Sequence, residues 1–119
     1  MPDQPSRAKK LAERFPSKYL SLTSYKRDGS GVATPVWFVI DDGRLLVMTD
    51  PESFKAKRIR HNPNVTVTPC TAAGRLRGDP LPARAELLPV SQRARLDQLM
   101  PRRYSWLARV TFFRIDQLR

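Results

Sequence analysis

The apolar positions change period repeatedly along the chain, and each change marks an element. From Ser6 to Phe15 the residues Ala8, Leu11, Ala12 and Phe15 recur at helical spacing, with Ser6 as cap and Pro16 as stop. Lys18 to Tyr25 then alternates Leu20 and Leu22 with Ser21 and Thr23, which predicts a strand. Turn chemistry follows at Arg27-Asp28-Gly29-Ser30-Gly31. Val32 to Ile40 is rich in β-branched and aromatic residues, Asp41-Asp42-Gly43 makes a tight turn, and Leu45 to Met48 resume the sheet within Arg44 to Thr49. These segments predict a three-stranded meander.

Pro51 opens a second helix, in which Phe54, Ala56 and Ile59 are expected to face inward, and Asn62-Pro63 closes it. Val65 and Val67 alternate with Thr66 and Thr68 in a fourth strand, whose end Pro69 pushes toward an edge or bulge. After Ala72-Ala73-Gly74, residues 75–82 read as a loop and Ala83 to Leu88 as a fifth strand. Ser91 to Met100 is helical in pattern. The tail has two readings: Trp106, Val110 and Phe113 suit a helix, whereas Val110, Phe112 and Arg114 suit a strand. Short strands with brief helices predict a mainly β, α+β architecture, a barrel or sandwich with helical decoration.

At 119 residues the chain is expected to form a single domain, with an N-terminal helix in 1–16, a core in 17–90 and a helix plus ambiguous segment in 91–119. Its longest apolar run, Val36 to Ile40, is far short of the roughly 18 residues of a membrane span, and no secretory segment is evident, so a cytoplasmic location is expected with no membrane partner. One cysteine, Cys70, and one histidine, His61, supply neither a disulfide nor a metal cluster. Lys and Arg number 22 against 11 acids, a net charge of +11 that favours anionic partners.

The densest chemistry lies in Ser53-Phe54-Lys55-Ala56-Lys57-Arg58-Ile59-Arg60. Cations around a helix start make an anion site, because backbone donors, dipole and side chains act on one charge. The same run also suits a solvated basic helix face. In Ala33-Thr34-Pro35-Val36-Trp37-Phe38 a proline interrupts an apolar strand, leaving a segment that could meet the edge of a planar heterocycle, although Trp37 and Phe38 also suit a core. The hydroxyls of Thr34 and Thr49 add possible polar contacts. No phosphate loop, HExxH pair, nucleophile elbow or histidine relay is present, so no catalytic side chain is assigned.

Taken together, Lys18 to Tyr25, Arg27-Asp28-Gly29, Thr34-Pro35-Val36-Trp37-Phe38 and Lys55-Ala56-Lys57-Arg58-Ile59-Arg60-His61-Asn62-Pro63 resemble the pyridoxamine 5′-phosphate oxidase-like flavin/deazaflavin oxidoreductases, and the likeness extends to residue 88. Within that group the chain is most similar to the probable F420-dependent branch. The resemblance implies an FMN-binding split β-barrel, a homodimer with cofactor between the subunits, and an oxidoreductase acting on a small-molecule substrate. It implies coenzyme F420 as cofactor, with FMN as the alternative. It also implies Lys55 as the phosphate-binding residue, Lys57 and Arg58 as helpers, Pro35, Val36 and Trp37 beside the ring, and Thr49 at the strand end leading to the phosphate. Relatives close the barrel with a last strand, which here either comes from Leu107 to Ile115 or is missing. A non-catalytic cofactor carrier and a nucleic-acid-binding module are the competing readings. Nucleic acid is not expected, because no aromatic beyond Phe54 interrupts the basic run.

Overall fold

The computed structural model describes residues 3–41, 43–49, 53–88 and 111–116. Helix α1 (Asp3–Arg14) leads into strands β1 (Tyr19–Tyr25), β2 (Gly31–Asp41) and β3 (Arg44–Thr49). Helix α2 (Phe54–His61), β4 (Asn64–Cys70), β5 (Leu81–Leu87) and β6 (Thr111–Asp116) follow. The strands form a closed antiparallel barrel in the order β1-β2-β3-β6-β5-β4. Each strand is therefore paired on both sides, which removes the exposed edges that invite aggregation.

Strand parity builds the interior. Leu20 and Leu22 of β1, Val36 and Phe38 of β2, Leu45 and Val47 of β3, Val65 and Val67 of β4, and Ala83 and Ala85 of β5 all point into one core. β6 settles residues 111–116 of the ambiguous tail as strand: it pairs with β3 through Leu45↔Ile115 and with β5 through Ala85↔Ile115, and Ile115 is fully buried. Of the strand expected within Leu107 to Ile115, the part from Thr111 onward is present in β6 and closes the barrel, and residues 107–110 lie outside the described residues. The helix expected over 91–100 lies outside the described residues.

Both helices add to the same core. Leu11 of α1 and Phe15 just beyond it are buried, and the Phe15 ring meets Phe38 edge-on at 5.9 Å. Two details of the expected first helix are corrected. It begins at Asp3, so Ser6 is an interior residue rather than its cap, which the tolerance of Pro5 in a first turn permits. Ala12 is exposed. In α2, Ala56 and Ile59 enter the core one turn apart, but Phe54 is 77% exposed, correcting its expected inward position. Residues 54 and 56 are about 200° apart around a helix and cannot share a face. Ser53 caps this helix, and Pro51, expected to open it, lies outside the described residues.

Pro69 sits beyond the β4–β5 ladder, which ends at Val67, and its carbonyl accepts a 2.7 Å bond from Arg77 N–H in the following loop. That loop turns back toward β2: the open side of Gly74, at φ 90°, faces the Pro35 ring, where an added Cβ would lie 3.7 Å away. No helix among the described residues is long and apolar enough to cross a membrane.

Candidate functional site

The site begins where β3 hands over to α2. Ser53 holds extended backbone and its Oγ accepts the Ala56 N–H at 3.1 Å, satisfying one of the free donors of the first turn. Thr49 is buried at the end of β3, with its Oγ1 3.4 Å from Ser53 Oγ. Two hydroxyls therefore stand at the N-terminus of a helix whose dipole favours negative charge.

The 3.6-residue period then sorts the cations. With Ala56 and Ile59 inward, Lys55 and Arg58 share one flank and are both half-buried, whereas Lys57 and Arg60 are exposed. Arg58 is anchored: its Nε donates a 2.7 Å bond to Oγ of Ser24, which has no exposed surface. Lys55 has no carboxylate partner among the described residues. Burial, and then the charge of Arg58, pull its ammonium below the ordinary lysine value of 10.5. A pair of neighbouring, partly desolvated cations with no counter-charge among the described residues is an arrangement that an anion would stabilise.

On β2 the alternation divides the expected ring-side residues. Val36 points into the core, so only its backbone could meet a ligand. Pro35 is exposed on the opposite face, and Trp37, of the same parity, is half-buried. Thr34 is on the Val36 side, and its buried hydroxyl has no partner among the described residues. Ser24, which holds Arg58, pairs with Val32, three positions before Pro35. At roughly 3.3 Å per residue, the anchored guanidinium and the Pro35 segment are about 10 Å apart along the sheet.

The structure therefore places Thr49 and Ser53 together at the start of α2, puts Lys55 and Arg58 half-buried on one flank of that helix with Lys57 exposed, and keeps Pro35, Val36 and Trp37 on β2. Sequence reasoning missed Ser24 and Ser53. Ser24 had a signal, a polar residue at the parity of Leu20 and Leu22. A groove of about 540 Å³ also runs along the outer side of α2. Tyr25, Lys26 and Arg27 line it from the β1–β2 turn, and Phe54, Lys57, Arg58, Arg60 and His61 line it from the helix.

Solved structures share this architecture. A proposed pyridoxamine 5′-phosphate oxidase of Listeria innocua superposes with a TM-score of 0.69 at 21% identity, covering 96% of each chain. An FAD-binding protein of Mesorhizobium loti gives 0.66 at 23% identity, over 91% of this chain and 85% of its own. A heme storage protein of Vibrio cholerae gives 0.66 at 16% identity, over 97% and 87%. At these identities the likeness establishes the split-barrel fold. A search of curated proteins finds no match. The model of the pyridoxamine 5′-phosphate oxidase family, by contrast, matches residues 8–116, nearly the whole chain, and the protein belongs to that family.

Proposed function

We propose that this protein is a cytoplasmic, homodimeric oxidoreductase in which reduced coenzyme F420 transfers a hydride to a small organic substrate. The observation that carries the reading is the half-buried pair Lys55 and Arg58, without a carboxylate partner among the described residues, beside the hydroxyls of Thr49 and Ser53. That donor set fits a phosphate group: two cations on one flank of α2 and two hydroxyls at its N-terminus are the groups that would hold it. The Pro35 to Trp37 segment fits the flat end of the cofactor, since Pro35 offers an exposed surface with no N–H and Trp37 a half-buried ring.

Once bound, the cofactor supplies the hydride chemistry, and the protein supplies binding, orientation and exclusion of water. Lys55 and Arg58 would hold the phosphate, with Arg58 kept in place by Ser24. Thr49 would reach it with Ser53, and the β2 segment would flank the ring. Lys57, facing outward, would act as a longer-range counter-charge. No side chain is assigned a proton-transfer role.

FMN is the second reading. The FAD-binding relative of similar fold favours an ordinary flavin, and the Lys55–Arg58 site suits a single phosphomonoester equally well. Parallel fluorescence titrations with F420 and FMN at moderate salt separate the two. Tight F420 binding with weak FMN binding supports the proposal, and the reverse order selects FMN. Binding of neither would overturn both.

A further inference from the structure

We propose that the groove outside α2 is a binding surface for single-stranded nucleic acid, with Phe54 and Tyr25 as stacking platforms and Lys26, Arg27, Lys57 and Arg60 as phosphate contacts. The expectation against nucleic acid rested on there being no aromatic beyond Phe54 in the basic run, with Phe54 itself expected inward; the fold supplies a second aromatic from another element. Phe54 turns out of the core and is 77% exposed, and β1 brings Tyr25 into the same groove.

The walls are held in place. In the β1–β2 turn, Lys26 N–H donates to the Ser30 carbonyl at 2.9 Å and Gly29 N–H to the Lys26 carbonyl at 3.0 Å, with Gly29 at φ 90°. The Asp28 carboxylate accepts from both the N–H and the hydroxyl of Ser30, which, with help from Lys26, draws its pKa below 3.8. Asp28 offsets part of the charge beside Lys26, but no carboxylate lines the groove among the described residues. On the opposite wall, Lys57 Nζ lies 5.6 Å from the Phe54 ring centroid, a cation–π contact that steadies the ring and leaves most of it in solvent. Tyr25 is fixed by a 2.7 Å bond between its hydroxyl and Thr66 Oγ1, with its ring half-buried.

Cations alone would attract any polyanion. Aromatic rings open to solvent in a cationic groove add affinity for ligands with π-faces spaced along a charged backbone, which is the chemistry of single-stranded DNA or RNA. Arg58 and Lys57 line this groove and also serve the proposed cofactor site, whereas Phe54 and Arg60, the residues changed in the test, belong to the groove alone.

The test is fluorescence anisotropy of a labelled oligothymidylate titrated with the full chain at several salt concentrations. Saturable binding is expected, with log K falling against log[salt] at a slope of about −2 or steeper, at roughly 0.7 per phosphate neutralised. Phe54→Ala should weaken binding by about 5-fold or more and leave the slope unchanged. Arg60→Gln should flatten the slope by about 0.7. Both residues are exposed, so circular dichroism should report an intact fold; Phe54→Leu, which keeps apolar bulk but removes the π-face, should weaken binding in the same direction. The proposal is overturned by absence of saturable binding at low salt or by unchanged affinity in both Phe54 variants. Displacement of the oligonucleotide by polyglutamate as effective as by unlabelled oligonucleotide would also overturn it, making the groove a charge-only polyanion site.

Discussion

Replacing Ile115 by alanine probes whether β6 closes the barrel. Ile115 is fully buried, sits between Leu45 on β3 and Ala85 on β5, and belongs to the main core cluster. Leu45 and Val47 nearby are themselves fully buried, so the wall has little freedom to collapse into the space left. The expected cost is about 2–5 kcal/mol, from lost transfer energy and the residual cavity. That is a large share of the roughly 5–15 kcal/mol that separates folded from unfolded states in a domain of this kind. Urea denaturation measures it: with m of about 1–3 kcal/mol per M, the midpoint should fall by about 0.7–5 M at unchanged m. Arg114→Ala is the internal control. Arg114 is 26% exposed and its bond to Glu86, 58% exposed, spans 2.8 Å at the surface, so its loss should cost only about 0.2–1 kcal/mol. A large loss at 115 beside a small one at 114 is the signature of a strand with one face in the core. A cost below about 0.5 kcal/mol at Ile115 would refute the closure, because only a surface position tolerates such truncation.

Other expectations follow from the site. Lys55→Ala should weaken binding of a phosphate-bearing cofactor by about 1.5–3 kcal/mol in fluorescence titration, and unchanged affinity would remove Lys55 from the site. Ser24→Ala should leave the Arg58 side chain without its buried acceptor and lower thermal stability by about 1–3 kcal/mol, read by calorimetry. The lowered pKa of Lys55 has a defined pH consequence. Between its folded pKa and 10.5 the unfolded chain still carries the proton that the folded chain has released, so stability from this residue rises with pH across that window. Affinity for an anionic cofactor should fall over the same window as the ammonium is lost, and Lys55→Arg, which keeps its charge, should abolish the fall. Cys70, buried and with its thiol pKa raised by desolvation, should react with a thiol reagent only as the protein unfolds, followed by absorbance with and without urea.

By itself the sequence determined the elements that rest on local information. Alternation within Tyr19–Tyr25, the apolar run within Arg44–Thr49, the turns at Gly29 and Gly43, and the stop at Pro16 are encoded within a few residues of where they act. The family likeness and the Lys55, Lys57 and Arg58 run were legible for the same reason. Tertiary structure decided what depends on distant partners. β6 fits either a helical or a strand pattern until β3 and β5 present unpaired backbone on both of its sides. Arg58 is held in one position only because Ser24, 34 positions earlier, is brought within hydrogen-bond distance of it. Phe54 could have been assigned outward from helical geometry alone, but the groove it joins could not, since Tyr25, Lys26 and Arg27 reach it only through barrel closure. Periodicity specifies which face of an element is apolar, whereas long-range strand pairing specifies which faces meet, and the candidate sites of this protein lie at those meetings.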